Sequence, residues 1–376
     1  EIGAPFGLQT TTIGGRTFVY VGGGYDDPVS SYFPDGGLSV FELFADGTLV
    51  GIENVAMEDF TGADPIGALK MATVGGFTYL FADRDHSITV FQVGADGTLS
   101  EVQTLAQEAG PPPGEGPDPI FGQMDVVEVG GVSYLITGGK FDDLVTVFSI
   151  AANGSLTETD TVENTEDTQF PLIERVRDIT TATVGGNTFV FVPGQFGDGI
   201  SSFQLNPGGT LTFIDGIADG DAPGLELDGA NGTATATING TTYLYVSGSL
   251  DKGISVFSVD STGMMTNVSN FAGTIDLPLE VPVDMSTFVM GGETFLMLSV
   301  VVDDQLVLFN AAPDGSLSVV TSVDDTFWLN LGQPNQNAFT FVDGVPIALV
   351  AGVHDSGFST FEIGAGDDTL NGTYDD

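Results

Sequence analysis

The chain has 376 residues, with 52 Asp and Glu against 7 Lys and Arg, for a formal net charge of -45 at neutral pH. That charge excludes docking on a phosphate backbone or an anionic lipid surface through a basic face and makes cations the natural counter-partners. The absence of Cys removes disulfides and thiolate metal sites, and no apolar run reaches the ~20 residues that cross a bilayer as a helix.

In chain order, the first hairpin is "TTTIGGRTFVYVGGGY" (Thr10 to Tyr25), two apolar runs joined by Gly14-Gly15. The same pattern returns at Gly75-Gly76, Gly130-Gly131, Gly185-Gly186, Asn239-Gly240, Gly291-Gly292 and Asp343-Gly344, at intervals of 61, 55, 55, 54, 52 and 52 residues. These dipeptides supply the positive φ of two-residue hairpins. From the turn to a Phe in the third strand is 18 residues in five copies, ending at Phe148, Phe203, Phe257, Phe309 and Phe361. Each copy therefore reads as four short strands. Middle strands such as "TYLFA" and "ITVFQV" are apolar on both faces, which suits sheets sandwiched between neighbours. Seven such sheets predict an all-β, seven-bladed β-propeller of four-stranded antiparallel blades, spanning 1–376 as one domain.

The turns between second and third strands are acidic in every copy: Asp26 and Asp27, Asp85, Asp142 and Asp143, Asp198, Asp251, Asp303 and Asp304, Asp355. Asp125, Asp178 and Asp284 precede inner strands. Asp is a favoured turn former, so each single residue has a structural reading. The doublets add repulsion that a cation would relieve, and calcium prefers oxygen ligands in flexible geometry. Asp26 with Asp27, Asp142 with Asp143, and Asp303 with Asp304 are accordingly the expected calcium ligands. The Pro- and Gly-rich segment Ala106 to Gln123 reads as a flap over the same face. Trp328, in the loop Asp324 to Asn337, caps the core or stacks on a sugar.

"FVYVGGGY" (Phe18 to Tyr25), "DHSITVF" (Asp85 to Phe91), "DKGISVF" (Asp251 to Phe257) and "HDSGFSTF" (His354 to Phe361) resemble the seven-bladed lactonase-like propellers, relatives of 6-phosphogluconolactonase and of surface-layer YVTN propellers. The resemblance implies ligand binding at the channel mouth, with His, Arg and Glu used for hydrolysis by lactonase members. Here the matching candidates are Arg177 as carboxylate clamp, Glu174 or Asp178 as base, and His86 or His354 as acid or base. Arg177 and Arg175 also have a plain reading as salt-bridge partners of Glu174 or Asp178.

The last stretch, "GAGDDTLNGTYDD" (Gly364 to Asp376), resembles the start of an RTX calcium-binding repeat array and also supplies the only segment left for an outer strand of blade seven. The RTX resemblance implies a larger protein secreted by a type I route into saline surroundings. Inner strands such as "TATATI" offer few titratable groups, so the expected function is an acidic extracellular recognition module binding a glycan, peptide or surface protein, with calcium support, without nucleic acid and without membrane insertion. A lactonase-like hydrolase acting at the channel mouth is the alternative.

Overall fold

The computed structural model describes residues 5–23, 37–56, 66–84, 87–106, 123–139, 143–164, 171–325, 329, 331–355, 357–364 and 370–373. These residues form seven four-stranded sheets, each running in sequence order from an inner to an outer strand, with every neighbouring pair antiparallel. The expected seven-bladed propeller is the observed architecture. The inner strands are Pro5–Ile13, Ile66–Val74, Met124–Val129, Thr180–Val184, Ala230–Ile238, Pro282–Met290 and Pro334–Val342, and each packs on the next around the channel. Blade seven is completed by Leu370–Thr373, which pairs with Gly357–Ile363. The segment that resembled an RTX turn thus serves, in its described part, as a blade strand.

Local sequence explains the blades. Gly75 and Gly76 adopt φ of 62° and 85°, and Asn239 stands in at 51°, a left-handed conformation that Asn tolerates. Second and third strands are buried along nearly their whole length, as in Asn187–Gly194 and Gly199–Leu205. The outer strand Met265–Ala272 instead alternates between buried or half-buried and exposed positions, because one of its faces meets solvent. Apolar side chains from adjacent blades merge into shared clusters, such as Tyr134, Ile136, Val145 and Val147 with Val190, Val192 and Phe203. The ring closes without a shared strand: Leu8, Val19 and Val21 pack against Val342, Ile347 and Leu349, and the Leu8 N–H donates to Gln336 Oε1 at 2.8 Å.

Between third and fourth strands the register shifts at a β-bulge next to the recurring Phe, as at Val147/Phe148 and Ser202/Phe203. Just past the bulge, Glu53, Gln103, Asp160 and Asp215 each accept a backbone N–H from the following blade: Leu99, Leu156, Leu211 and Met265, at 2.9, 2.8, 2.7 and 2.9 Å. A bulge re-aims its side chain, and here the new direction is across the blade seam.

The third turn makes a second contact of this kind. Gly154, at φ 84°, lies under the ring of Tyr79 from the preceding blade, where a Cβ would sit 2.4 Å from the ring. Gly154→Ala combines left-handed strain with overpacking and should lower stability by about 3 kcal/mol. Urea unfolding of the two proteins measures it, and a loss under about 1 kcal/mol would show that the seam yields freely.

Candidate functional site at the channel mouth

The inner strands carry few ionisable groups, but the ring brings four of them together. Lys70 Nζ and Asp125 Oδ1 pair at 2.8 Å across blades two and three. Lys70 keeps 32% side-chain exposure, and that surface faces the channel, whose cavity of about 310 Å³ it lines with Asp178 and Asp284. Burial opposes the ammonium charge, yet Asp125, Asp178 and Asp284 together hold its pKa above the ordinary lysine value.

Asp178 and Asp284 occupy the same offset before turn glycines Gly185 and Gly291 and differ in how firmly they are held. Asp178 accepts the Ile179 N–H at 2.7 Å and, from the next blade, the Thr233 N–H at 2.6 Å and its hydroxyl at 2.8 Å. Burial nevertheless lifts it to about 6. Asp284 accepts the Asn337 N–H at 2.7 Å through Oδ2. Burial first, and the facing charge of Asp178 second, push Asp284 up to about 7, with Lys70 pulling the other way. Two acids near neutrality in one enclosed space are placed for proton transfer at physiological pH.

Above the channel, a mouth cavity of about 220 Å³ shares Gln123, Asp178 and Asp284 with it. Its wall combines Phe6, Val283 and Val301 with Arg177, Gln195 and Asn231. Arg177 is only 7% exposed, and its Nε donates to Gln195 Oε1 at 2.6 Å, which fixes the plane of the guanidinium.

Of the sequence-predicted catalytic residues, Arg177 and Asp178 meet in this cavity. Glu174 is exposed and lines neither cavity, its carbonyl accepting the Phe196 N–H at 3.2 Å. His354 is likewise exposed on its turn and lines neither cavity. His86, Trp328 and most of the 106–123 segment lie outside the described residues; Gln123, at the end of that segment, lines the mouth. Sequence reading missed Lys70 and the role of Asp284. For Asp284 the shared offset with Asp178 was the available signal.

The described carboxylates of the acidic turns accept backbone N–H groups. Asp303 accepts the Glu280 N–H of its own blade at 2.6 Å, whereas Asp304 accepts the Gln333 N–H of the next blade at 2.7 Å. Asp143 likewise takes the Arg175 N–H at 2.6 Å and Asp198 the Gly229 N–H at 3.0 Å, both across a seam. Asp251 and Asp355 repeat the within-blade bond, to Asp228 at 2.9 Å and Gly332 at 2.6 Å. The Asp303–Asp304 doublet thus has two backbone donors, one for each carboxylate. Asp26, Asp27 and Asp142 lie outside the described residues. Among the described residues no three His, Asp or Glu side chains converge as a metal-holding group.

Neither family models nor curated proteins give a match to this chain. Solved structures do. A presumed 6-phosphogluconolactonase from Bacteroides fragilis superposes with a TM-score of 0.67 at 17% identity over 97% of this chain and 95% of the other. A second, from Bacteroides uniformis, gives 0.69 at 15% over 96% and 95%. The periplasmic gluconolactonase of Pseudomonas aeruginosa gives 0.65 at 21% over 90% and 88%. At such identities the likeness establishes the seven-bladed fold. It also corrects the expectation of a recognition module: these neighbours bear lactonase names, and the inner strands, poor in charge one by one, assemble Lys70, Asp125, Asp178 and Asp284 around one channel.

Proposed function

We propose that the protein is a lactonase-like hydrolase that opens a cyclic ester at the channel mouth. The observation that carries this reading is the convergence of Arg177, Asp178 and Asp284 on one cavity, with the two carboxyls raised to about 6 and 7. The activities named for the similar structures from Bacteroides fragilis and Pseudomonas aeruginosa support it.

In this mechanism Asp284, with one oxygen held by the Asn337 N–H, takes a proton from water as that water attacks the lactone carbonyl carbon. Arg177 balances the charge that develops on the carbonyl oxygen. The ring C–O bond then breaks, the ring oxygen leaves as an alkoxide, and Asp284 returns the proton to it. One water is consumed and one hydroxy acid is formed. Asp178, fixed by three hydrogen bonds and ionised above about pH 6, sets its negative charge beside Asp284 and helps to raise that pKa toward the working pH. Proton release measured in a pH-stat with a panel of δ-lactones, corrected for spontaneous opening, tests the reading. Rates equal to the uncatalysed background across the panel would remove it.

Calcium support at Asp26 with Asp27, Asp142 with Asp143, and Asp303 with Asp304 is a separate proposal. Its motive is the self-repulsion of a particle at -45, which a specifically bound cation relieves beyond ordinary screening. Thermal melts should show a larger increase in Tm with calcium than with sodium at equal ionic strength. Coincident curves would assign the doublets to backbone bonding alone.

A further inference from the structure

We infer, building on the lactonase reading, that the substrate is a neutral, polyhydroxylated lactone whose hydroxyl-bearing end enters the channel below the mouth, where Gln9 and Thr180 select it. The two cavities share Gln123, Asp178 and Asp284, so the mouth opens into the space beneath it. That lower space is lined by hydroxyl and carboxamide groups together with Lys70.

Several of those groups are already committed. Thr235 and Thr287 hydroxyls donate to the Thr181 and Thr235 carbonyls of neighbouring blades at 3.2 and 2.7 Å, and the Ser286 hydroxyl donates to Asn337 Oδ1. Gln9 and Thr180, on the inner strands of blades one and four, line the same cavity without such a side-chain bond among the described residues. A Gln carboxamide both donates and accepts, and a Thr hydroxyl does the same, which matches a substrate presenting several hydroxyls.

Charge argues against a phosphorylated substrate. Among the described lining residues the cations are Arg177 at the mouth and Lys70 below it, and Lys70 is held by Asp125 at 2.8 Å. Asp178 and Asp284 face the same space, and the whole chain adds a field of -45. A phosphate dianion would bring like charge against two enclosed carboxylates, where screening by salt is weak. A neutral polyol brings no charge to these carboxylates and finds hydrogen-bonding partners among the lining side chains.

The test compares glucono-1,5-lactone, its 6-phosphate and δ-valerolactone as substrates of the wild-type chain, Gln9→Leu and Thr180→Val, with melting curves to show that the variants fold. The neutral sugar lactone should exceed its 6-phosphate in kcat/KM by about tenfold or more. Each variant should raise KM for glucono-1,5-lactone by about 3- to 10-fold, the worth of one neutral hydrogen bond, and leave KM for δ-valerolactone in place. A 6-phosphate turned over as well as or better than the neutral lactone would overturn the inference and leave the lactonase reading standing. So would variants that shift KM for both unphosphorylated lactones alike, or for neither. Failure of all three substrates would instead remove the lactonase reading, and this inference with it.

Discussion

Asp284→Asn should lower kcat for lactone opening by about 10²- to 10⁴-fold, the range that loss of a positioned general base costs. The wild-type rate should rise with pH through about 7 as Asp284 ionises. Asp178→Asn removes the like charge that helps to hold that pKa up, so the acid limb of the profile should move to lower pH while the base remains. Stability runs the opposite way. The folded pKa of Asp284 is raised above the ~3.9 of an unfolded chain, so its favourable contribution is complete below about pH 4 and is lost as pH rises through about 7. The Asn variant cannot ionise, and its stability relative to wild type should therefore improve between about pH 4 and 7 and level off above that. Lost activity with retained or improved stability separates a catalytic role from a misfolded site. Equal loss of both would contradict it.

Arg177→Ala should lower kcat by about 10²- to 10³-fold, the cost of deleting one preorganised donor to a developing oxyanion. The side chain is nearly enclosed and its Nε is pinned to Gln195 at 2.6 Å, so the guanidinium meets the substrate without reorganising. Arg177→Lys keeps the charge but loses the planar fork and the Gln195 bond, and should recover only part of the rate. Gln195→Ala should act in the same direction more weakly, since it frees the guanidinium without removing it. A fall in kcat for Arg177→Ala with KM nearly constant fits stabilisation of the transition state. A raised KM at unchanged kcat would make Arg177 a binding residue only.

The fold was legible because its signals are local. Gly-Gly, Asn-Gly and Asp-Gly turns need positive φ, and two-faced apolar strands need sheets on both sides; both facts can be read within one repeat. Even the closing strand Leu370–Thr373 followed from counting what blade seven lacked. The site was less legible because it is made by the ring. Lys70, Asp125, Asp178 and Asp284 come from four different blades and meet only around the channel. Neighbours in sequence were misleading in turn: Glu174 lies three positions from Arg177, yet the loop before Val176 carries it into solvent. The Asp doublets show the same limit. Within one repeat the second carboxylate looks like unrelieved repulsion, and only the next blade reveals the N–H it accepts, as with Asp304 and Gln333.

The lactonase reading has the half-buried carboxyls at the mouth perform hydrolysis near neutral pH. It is tested most directly by the pH profile of kcat/KM for glucono-1,5-lactone from pH 5 to 8.5, background-corrected, for wild type and Asp284→Asn together. A catalysed rate that rises through an apparent pKa of about 7 and is absent from the variant is the predicted result. A catalysed rate that Asp284→Asn leaves intact, or no rate above background at any pH, would contradict it.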